Sequence, residues 1–242
     1  MNVAQATRTS PGFTLVELLI TIALIAALAG SGLAVFSTIK EKAEQATCLG
    51  NLRQIGLAVI SYSQDHNSSF PLSTHQLDAS NMDQGWIHSI SPYLADVDQI
   101  RICPADPKKA ERLASNGTSY LLNSYLTVEK TDPFGNPLSG GFTKTHQLPD
   151  PARTPLAFIT NFEKGTGFTN DHTHSESWSS WQSVVRDIQP DAFGGDDKPD
   201  RSSGSSNYLY ADGHAEQISA TTVRKWILSG HNFANPLSFQ KN

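Results

Sequence analysis

Glu17 is a carboxylate at the mouth of an apolar run. From Leu18 to Phe36 there are 19 residues without a charge, with Thr21 and Ser31 as the polar side chains. As a helix at about 1.5 Å per residue the run covers roughly 28 Å, enough to cross a bilayer. An ionised carboxylate inside such a run costs on the order of 3 kcal/mol and marks function rather than plain anchoring. Other candidate chemistry lies further along. Cys48 and Cys103 are the two cysteines; an even count in an oxidising compartment points to one disulfide, and two buried free thiols are the other reading. Asp171 with His172 and His174 is a polar cluster with metal-type donors. Asp187, Asp191, Asp196, Asp197 and Asp200 surround Gly194 and Gly195 and offer the clustered oxygens that calcium takes, without EF-hand spacing. The chain has no Gly-x-Ser-x-Gly elbow, no phosphate-cradling Gly-rich loop and no His-Glu-x-x-His pair, so the expectation is a protein that is not an enzyme.

Around Glu17 the order is Pro11-Gly12-Phe13-Thr14-Leu15-Val16-Glu17-Leu18-Leu19, a short polar leader joined to the apolar run. The segment resembles a type IV prepilin signal. The resemblance implies cleavage between Gly12 and Phe13 by a prepilin peptidase, with N-methylation of Phe13. It also implies that Glu17 pairs with the Phe13 amine of a neighbouring subunit, so that two charges in an apolar bundle are satisfied only at the right stagger. Two other readings use the same residues. A secretory signal peptide would place its cut at Ala27-Leu28-Ala29; an uncleaved anchor explains the length of the run but not Pro11-Gly12 or Glu17.

Three further segments extend the likeness: Cys48 to Gly56 with Tyr62 and Asp65-His66, then Ile102-Cys103-Pro104, then Tyr210-Ala211-Asp212-Gly213-His214. Together they resemble the pseudopilin-like proteins with a C-terminal processing-associated domain. That domain usually carries a His ten residues before its Asp-Gly. Ser202 occupies that place here, so the motif is degenerate and its role is not carried over.

These residues need elements to hold them. After Phe36, Ile39, Ala43, Ala46, Leu49, Leu52, Ile55, Val59 and Tyr62 recur at steps of three and four, so the helix continues as an amphipathic one. Gly30 and Gly32 inside it are each about 1 kcal/mol worse than Ala and mark the turn expected to bend. Asp65 to Ser69 before Phe70-Pro71 ends the helix. Beyond it, Trp86–Leu94 reads as a short helix, and Tyr120–Val128, Leu156–Phe162 and Asn207–Tyr210 as strands. Asn207 to Ile218 alternates around Asp212-Gly213 and predicts a hairpin with a two-residue turn. Thr221 is the expected cap of a helix through Leu228, closed by Gly230. Trp178 and Trp181 are expected to be buried.

The expected fold is α+β, a pilin fold: leader 1–12, the membrane-embedded and assembly half of the helix 13–38, its amphipathic half 39–66, and a loop-rich head on a small antiparallel sheet, 67–242. Charged residues make up 17% of the chain and hydrophobic residues 38%, and the mean hydropathy is slightly negative, as for a polar soluble head on one anchor. Without the leader the chain carries 17 basic and 23 acidic residues, a balance that disfavours nucleic acid as a partner. The expected function is a structural subunit of a type IV pilus-like filament or a type II secretion pseudopilus. Expected partners are prepilin peptidase, related pilin subunits, an inner-membrane assembly platform, and membrane lipid before assembly. The expected location is a single pass in the inner membrane with the head in the periplasm, then a periplasmic or extracellular filament. No cofactor is expected beyond the calcium candidate. The alternative is a membrane-tethered extracytoplasmic binding module or enzyme on a prepilin-type anchor, acting through loops between Phe134 and Asp200.

Overall fold

The computed structural model describes residues 12–77, 85–128, 134, 141–196 and 199–238, with the backbone alone for 29–35. It divides into two units, Met1–Lys40 and Glu41–Asn242. Helix α1, Leu15–Asp65, contributes to both.

In the first unit the large apolar side chains of α1 from Leu15 to Leu28 are all more than half exposed, between 54% for Ile20 and 76% for Leu15. Among the described residues no helix is long and apolar enough to cross a membrane. Gly30 and Gly32, the expected bend, lie inside the uninterrupted helix α1, and residues 1–11 of the leader lie outside the described residues.

In the second unit α1 turns Cys48, Leu52, Ile55, Ala58 and Val59 inward, the three-and-four spacing of a one-faced helix. It stops at Asp65 because Asn67 and Ser68 take left-handed φ values of 52° and 64°. Short helices follow: α2 (Trp86–Ser89), α3 (Val97–Ile100), α4 (Lys109–Ala114), α5 (Ser124–Thr127), α6 (Trp181–Asp187) and α7 (Ala220–Leu228). Four strands, β1 (Tyr120–Leu122), β2 (Pro155–Ile159), β3 (Ser205–Tyr210) and β4 (Ala215–Ser219), pair antiparallel in chain order. The architecture is the α+β fold expected.

Register sorts the strand residues into two cores. Leu122, Ala157, Leu209 and Ala215 lie opposite one another across the sheet, and all four belong to the cluster built with α1, Phe70 and Trp86. One residue along, Leu121, Phe158 and Tyr208 line up in the other cluster, with Trp178, Trp181, Val184, Val223, Ile227 and Phe233. Strand side chains alternate between faces, so both faces of this small sheet are covered. Trp178 and Trp181 are buried there as expected, at 3% and 5% exposure.

Several boundaries differ from the sequence expectation. The helix expected over Trp86–Leu94 is α2 followed by a separate 3₁₀ turn, Ser91–Tyr93, with Pro92 at its start. Tyr120–Val128 is not one strand: Asn123 accepts from Tyr125 N at 3.2 Å and starts α5. β2 ends at Ile159 rather than Phe162. Ser219, not Thr221, caps α7 by accepting from Thr222 N at 3.2 Å. The β3–β4 turn is longer than two residues. Tyr210 N donates to His214 O and Gly213 N to Tyr210 O, a three-residue loop with Gly213 at φ 90°, the bulged hairpin form that uses a positive-φ glycine.

That turn rests on α1. A Cβ on Gly56 would lie 2.8 Å from Gly213 O and from Leu209 Cδ1, and one on Gly213 would lie 2.7 Å from Ile60 Cδ1. Gly50, two turns earlier on the same helix, has nothing within 4 Å. Denaturant unfolding therefore separates the two glycines: Gly50→Ala raises stability by up to about 1 kcal/mol through helix propensity, whereas Gly56→Ala loses about 2 kcal/mol because backbone must move. Equal effects would mean that the turn does not depend on that close approach.

Candidate functional site

Gly12, Phe13 and Thr14 precede α1 and are exposed, Phe13 at 74%. Helix formation at this point has a specific cause. Thr14 N and Thr14 Oγ1 donate to Glu17 Oε2 at 2.9 and 2.7 Å, and Glu17 N donates back to Thr14 Oγ1 at 3.2 Å. Leu18 N closes the first turn on Thr14 O at 3.2 Å. This is a capping box, in which two otherwise orphan N–H groups of the first turn are satisfied reciprocally. The carboxylate also meets the positive end of the helix dipole. The Thr-x-x-Glu capping signal stands in the sequence at 14–17. In the single subunit, Glu17 is held by its own helix start.

Residues 8–33, which contain this box, match the family described as a prokaryotic N-terminal methylation motif. Residues 37–161, from the second half of α1 through β2, match the family described as protein of unknown function, DUF1559. The chain belongs to the DUF1559 family. No curated protein and no solved structure matches it. The two matches bear out the resemblance to type IV pilin-like and pseudopilin-like proteins. The methylation motif implies a precursor processed by prepilin peptidase and assembly with pilin-like subunits.

The two cysteines of this DUF1559 chain are free thiols, both fully buried, where sequence reasoning expected a disulfide. Both lie beside Tyr120: its Oη donates to Cys48 Sγ at 3.4 Å, and each thiol perturbs the other. Asn51 on α1 donates to Ile102 O at 3.1 Å, tying the Cys103 segment to the helix. The hydrogen bond to Cys48, together with burial, pushes the Cys103 thiol well up.

The acidic run does not converge as calcium would require. Asp187 accepts from Lys164 Nζ at 2.5 Å, His174 N at 2.7 Å and Trp178 Nε1 at 3.0 Å. Asp191 accepts from Gln189 Nε2 at 2.9 Å and Arg201 Nε at 3.0 Å. Asp196 accepts from Ser203, and Asp200 lies 3.4 Å from Arg224 Nη1. Asp197 lies outside the described residues. Among the described residues no group of three or more His, Cys, Asp or Glu could hold a metal ion. Each described carboxylate of the calcium candidate instead fastens its own piece of loop.

Two measurements test these arrangements. Neither thiol is alkylated by iodoacetamide in the folded protein at pH 8, and both are alkylated after unfolding without reductant; no label after unfolding would reveal a bridge. Asp187 is partly desolvated, which raises its pKa, but Lys164 and the donated hydrogen bonds outweigh that and hold it below the usual carboxylate range. A depressed folded pKa adds stability that is present above about pH 4, the unfolded value, and lost as pH falls through the lower folded value. Asp187→Asn therefore costs about 2 kcal/mol at pH 7 and weakens the acid dependence of melting below about pH 4; unchanged acid dependence would remove Asp187 from the account.

Proposed function

We propose that this protein is a structural subunit of a filament: a membrane-held precursor, cut between Gly12 and Phe13 and methylated on Phe13, that assembles through α1 into a type IV pilus-like filament or a type II secretion pseudopilus. The supporting observation is the methylation motif over residues 8–33, within which the large apolar side chains from Leu15 to Leu28 are exposed. A contiguous surface of that kind is a membrane or protein contact rather than a water-facing one. Lipid covers it in the precursor, with the anchor crossing the inner membrane once and the head in the periplasm. Neighbouring helices cover it after assembly at an inner-membrane platform.

Glu17 then has two successive partners. In the single subunit it closes the box with Thr14. In the filament it meets the Phe13 amine of the next subunit, and the stagger that allows this sets the register. A pair buried in an apolar bundle is costly to break by removing one partner, by about 3 kcal/mol or more. The role is structural rather than catalytic.

Intact mass and N-terminal sequencing of the chain from its host membrane test processing, with a methylated Phe13 start as the expected result. Glu17→Ala is inserted and cleaved normally while filament yield falls more than tenfold. A start at Gly30, or normal filament yield from Glu17→Ala, would overturn the proposal.

A further inference from the structure

Where the β3–β4 turn is seated on α1, a hollow of about 250 Å³ opens beside the contact, lined by Ile60, Gln64, Ser68, Thr145, Ala211 and Asp212. Three segments from distant parts of the chain build it. Ser68 N donates to Ser63 O at 2.8 Å and folds the chain back over the end of α1. Thr145 N donates to Ser68 O at 2.8 Å and brings in the 3₁₀ turn Thr145–Gln147. The third wall, Ala211 and Asp212, is placed by the close approach of Gly213 to Gly56 and Ile60.

Polar groups of the lining divide into those the fold uses and those it leaves over. Asp212 Oδ1 accepts from His214 N at 3.1 Å and stands 2.6 Å from His214 Nδ1, so the local turn engages one oxygen of this carboxylate. Among the described residues the other oxygen, Oδ2, has no hydrogen-bond partner, and neither has the Gln64 amide, Ser68 Oγ or Thr145 Oγ1. Four side chains from three segments therefore offer unused donors and acceptors to one hollow. Ser68 does so from a left-handed backbone, at φ 64°, a conformation that is costly for a residue with a Cβ and that gathers at ligand sites.

The make-up of this set selects its ligand. Among the described residues no Lys or Arg lines the hollow, and a carboxylate on its wall repels anions, so phosphates and carboxylates do not fit. Ile60 and Ala211 offer too little apolar surface to hold an acyl chain or a flat aromatic ring. Two hydroxyls, an amide and a carboxylate oxygen can both give and accept hydrogen bonds, which suits a ring that carries several hydroxyls and has a C–H face. Pockets for drug-sized ligands span about 300–1,000 Å³, so this smaller hollow takes a single ring. We propose that the hollow between the end of α1, the 145–147 turn and the β3–β4 turn binds one pyranose unit of a neutral saccharide. Asp212 Oδ2, Gln64, Ser68 and Thr145 hold its hydroxyls, and Ile60 and Ala211 take its C–H face. The site belongs wholly to the head and stands independently of filament assembly.

The test is a nuclear magnetic resonance titration of the full chain, labelled on isoleucine δ1 and alanine methyl groups, in a detergent without a sugar headgroup. Glucose, galactose, mannose and N-acetylglucosamine are added in turn, each to about 100 mM, because one ring held by a few neutral hydrogen bonds binds at about the millimolar level. The expected result is a saturable shift of the Ile60 and Ala211 methyl signals with at least one of these sugars. Thr145→Val keeps the shape of its side chain and Gln64→Ala changes an exposed one, so both leave the remaining methyl signals in place, yet each weakens that binding by about fivefold. No saturable shift with any of the four sugars, binding unchanged in both variants, or a shift produced by ethylamine and by no sugar would overturn the site.

Discussion

Everything in the head follows from how closely α1 and the β3–β4 turn approach one another. Gly56 and Gly213 meet backbone to backbone, and a methyl group on either would collide with the other element. Gly213 must also hold φ at 90°, a value that glycine adopts without a steric cost. The turn is stiffened from within: His214 stacks on Tyr210 with ring centres 4.4 Å apart and lies 2.6 Å from Asp212 Oδ1. Once that turn is seated, β3 brings Leu209 to the helix, β2 and β1 pair in sequence behind it, and the opposite row of Leu121, Phe158 and Tyr208 must be covered by α6, α7 and Phe233. The Asp-Gly pair of the degenerate C-terminal motif is thus a docking device for the sheet.

The N-terminal segment obeys a different constraint. Its described large apolar side chains, from Leu15 to Leu28, are exposed, and its helix is organised at the first turn. The box between Thr14 and Glu17 supplies that organisation and gives the carboxylate a resting partner. In the proposed assembly Glu17 would exchange this partner for a neighbour's amine rather than find its first one.

In the head, composition and geometry part company. Five aspartates in a Gly-containing loop read as a cation site, and yet the four that are described hold Lys164, Arg201, Ser203 and Arg224 along separate directions. The cysteines, 55 positions apart in the chain, are both buried free thiols, with the Cys103 segment tied to α1 by Asn51. The histidines reverse the pattern. His172 and His174 were visible as neighbours in sequence, whereas His75 enters only because Asp171 bonds Thr74 nearly a hundred residues away.

Sequence alone determined what depends on local order along the chain: the methylation motif, the apolar run, the amphipathic continuation of α1 and its end before Phe70-Pro71, the strands at Leu156 and Asn207, and the Asp-Gly hairpin. Each is a periodicity or a backbone preference that neighbours in sequence express unaided. The tertiary structure decided which partners distant groups would find: a bulged turn seated on Gly56, aspartates dispersed among Lys164, Arg201, Ser203 and Arg224, and a histidine from the 74–76 turn beside two from the 171–174 segment. Those outcomes turn on hydrogen-bond satisfaction and close contact between segments far apart in the chain, which no window of local composition contains.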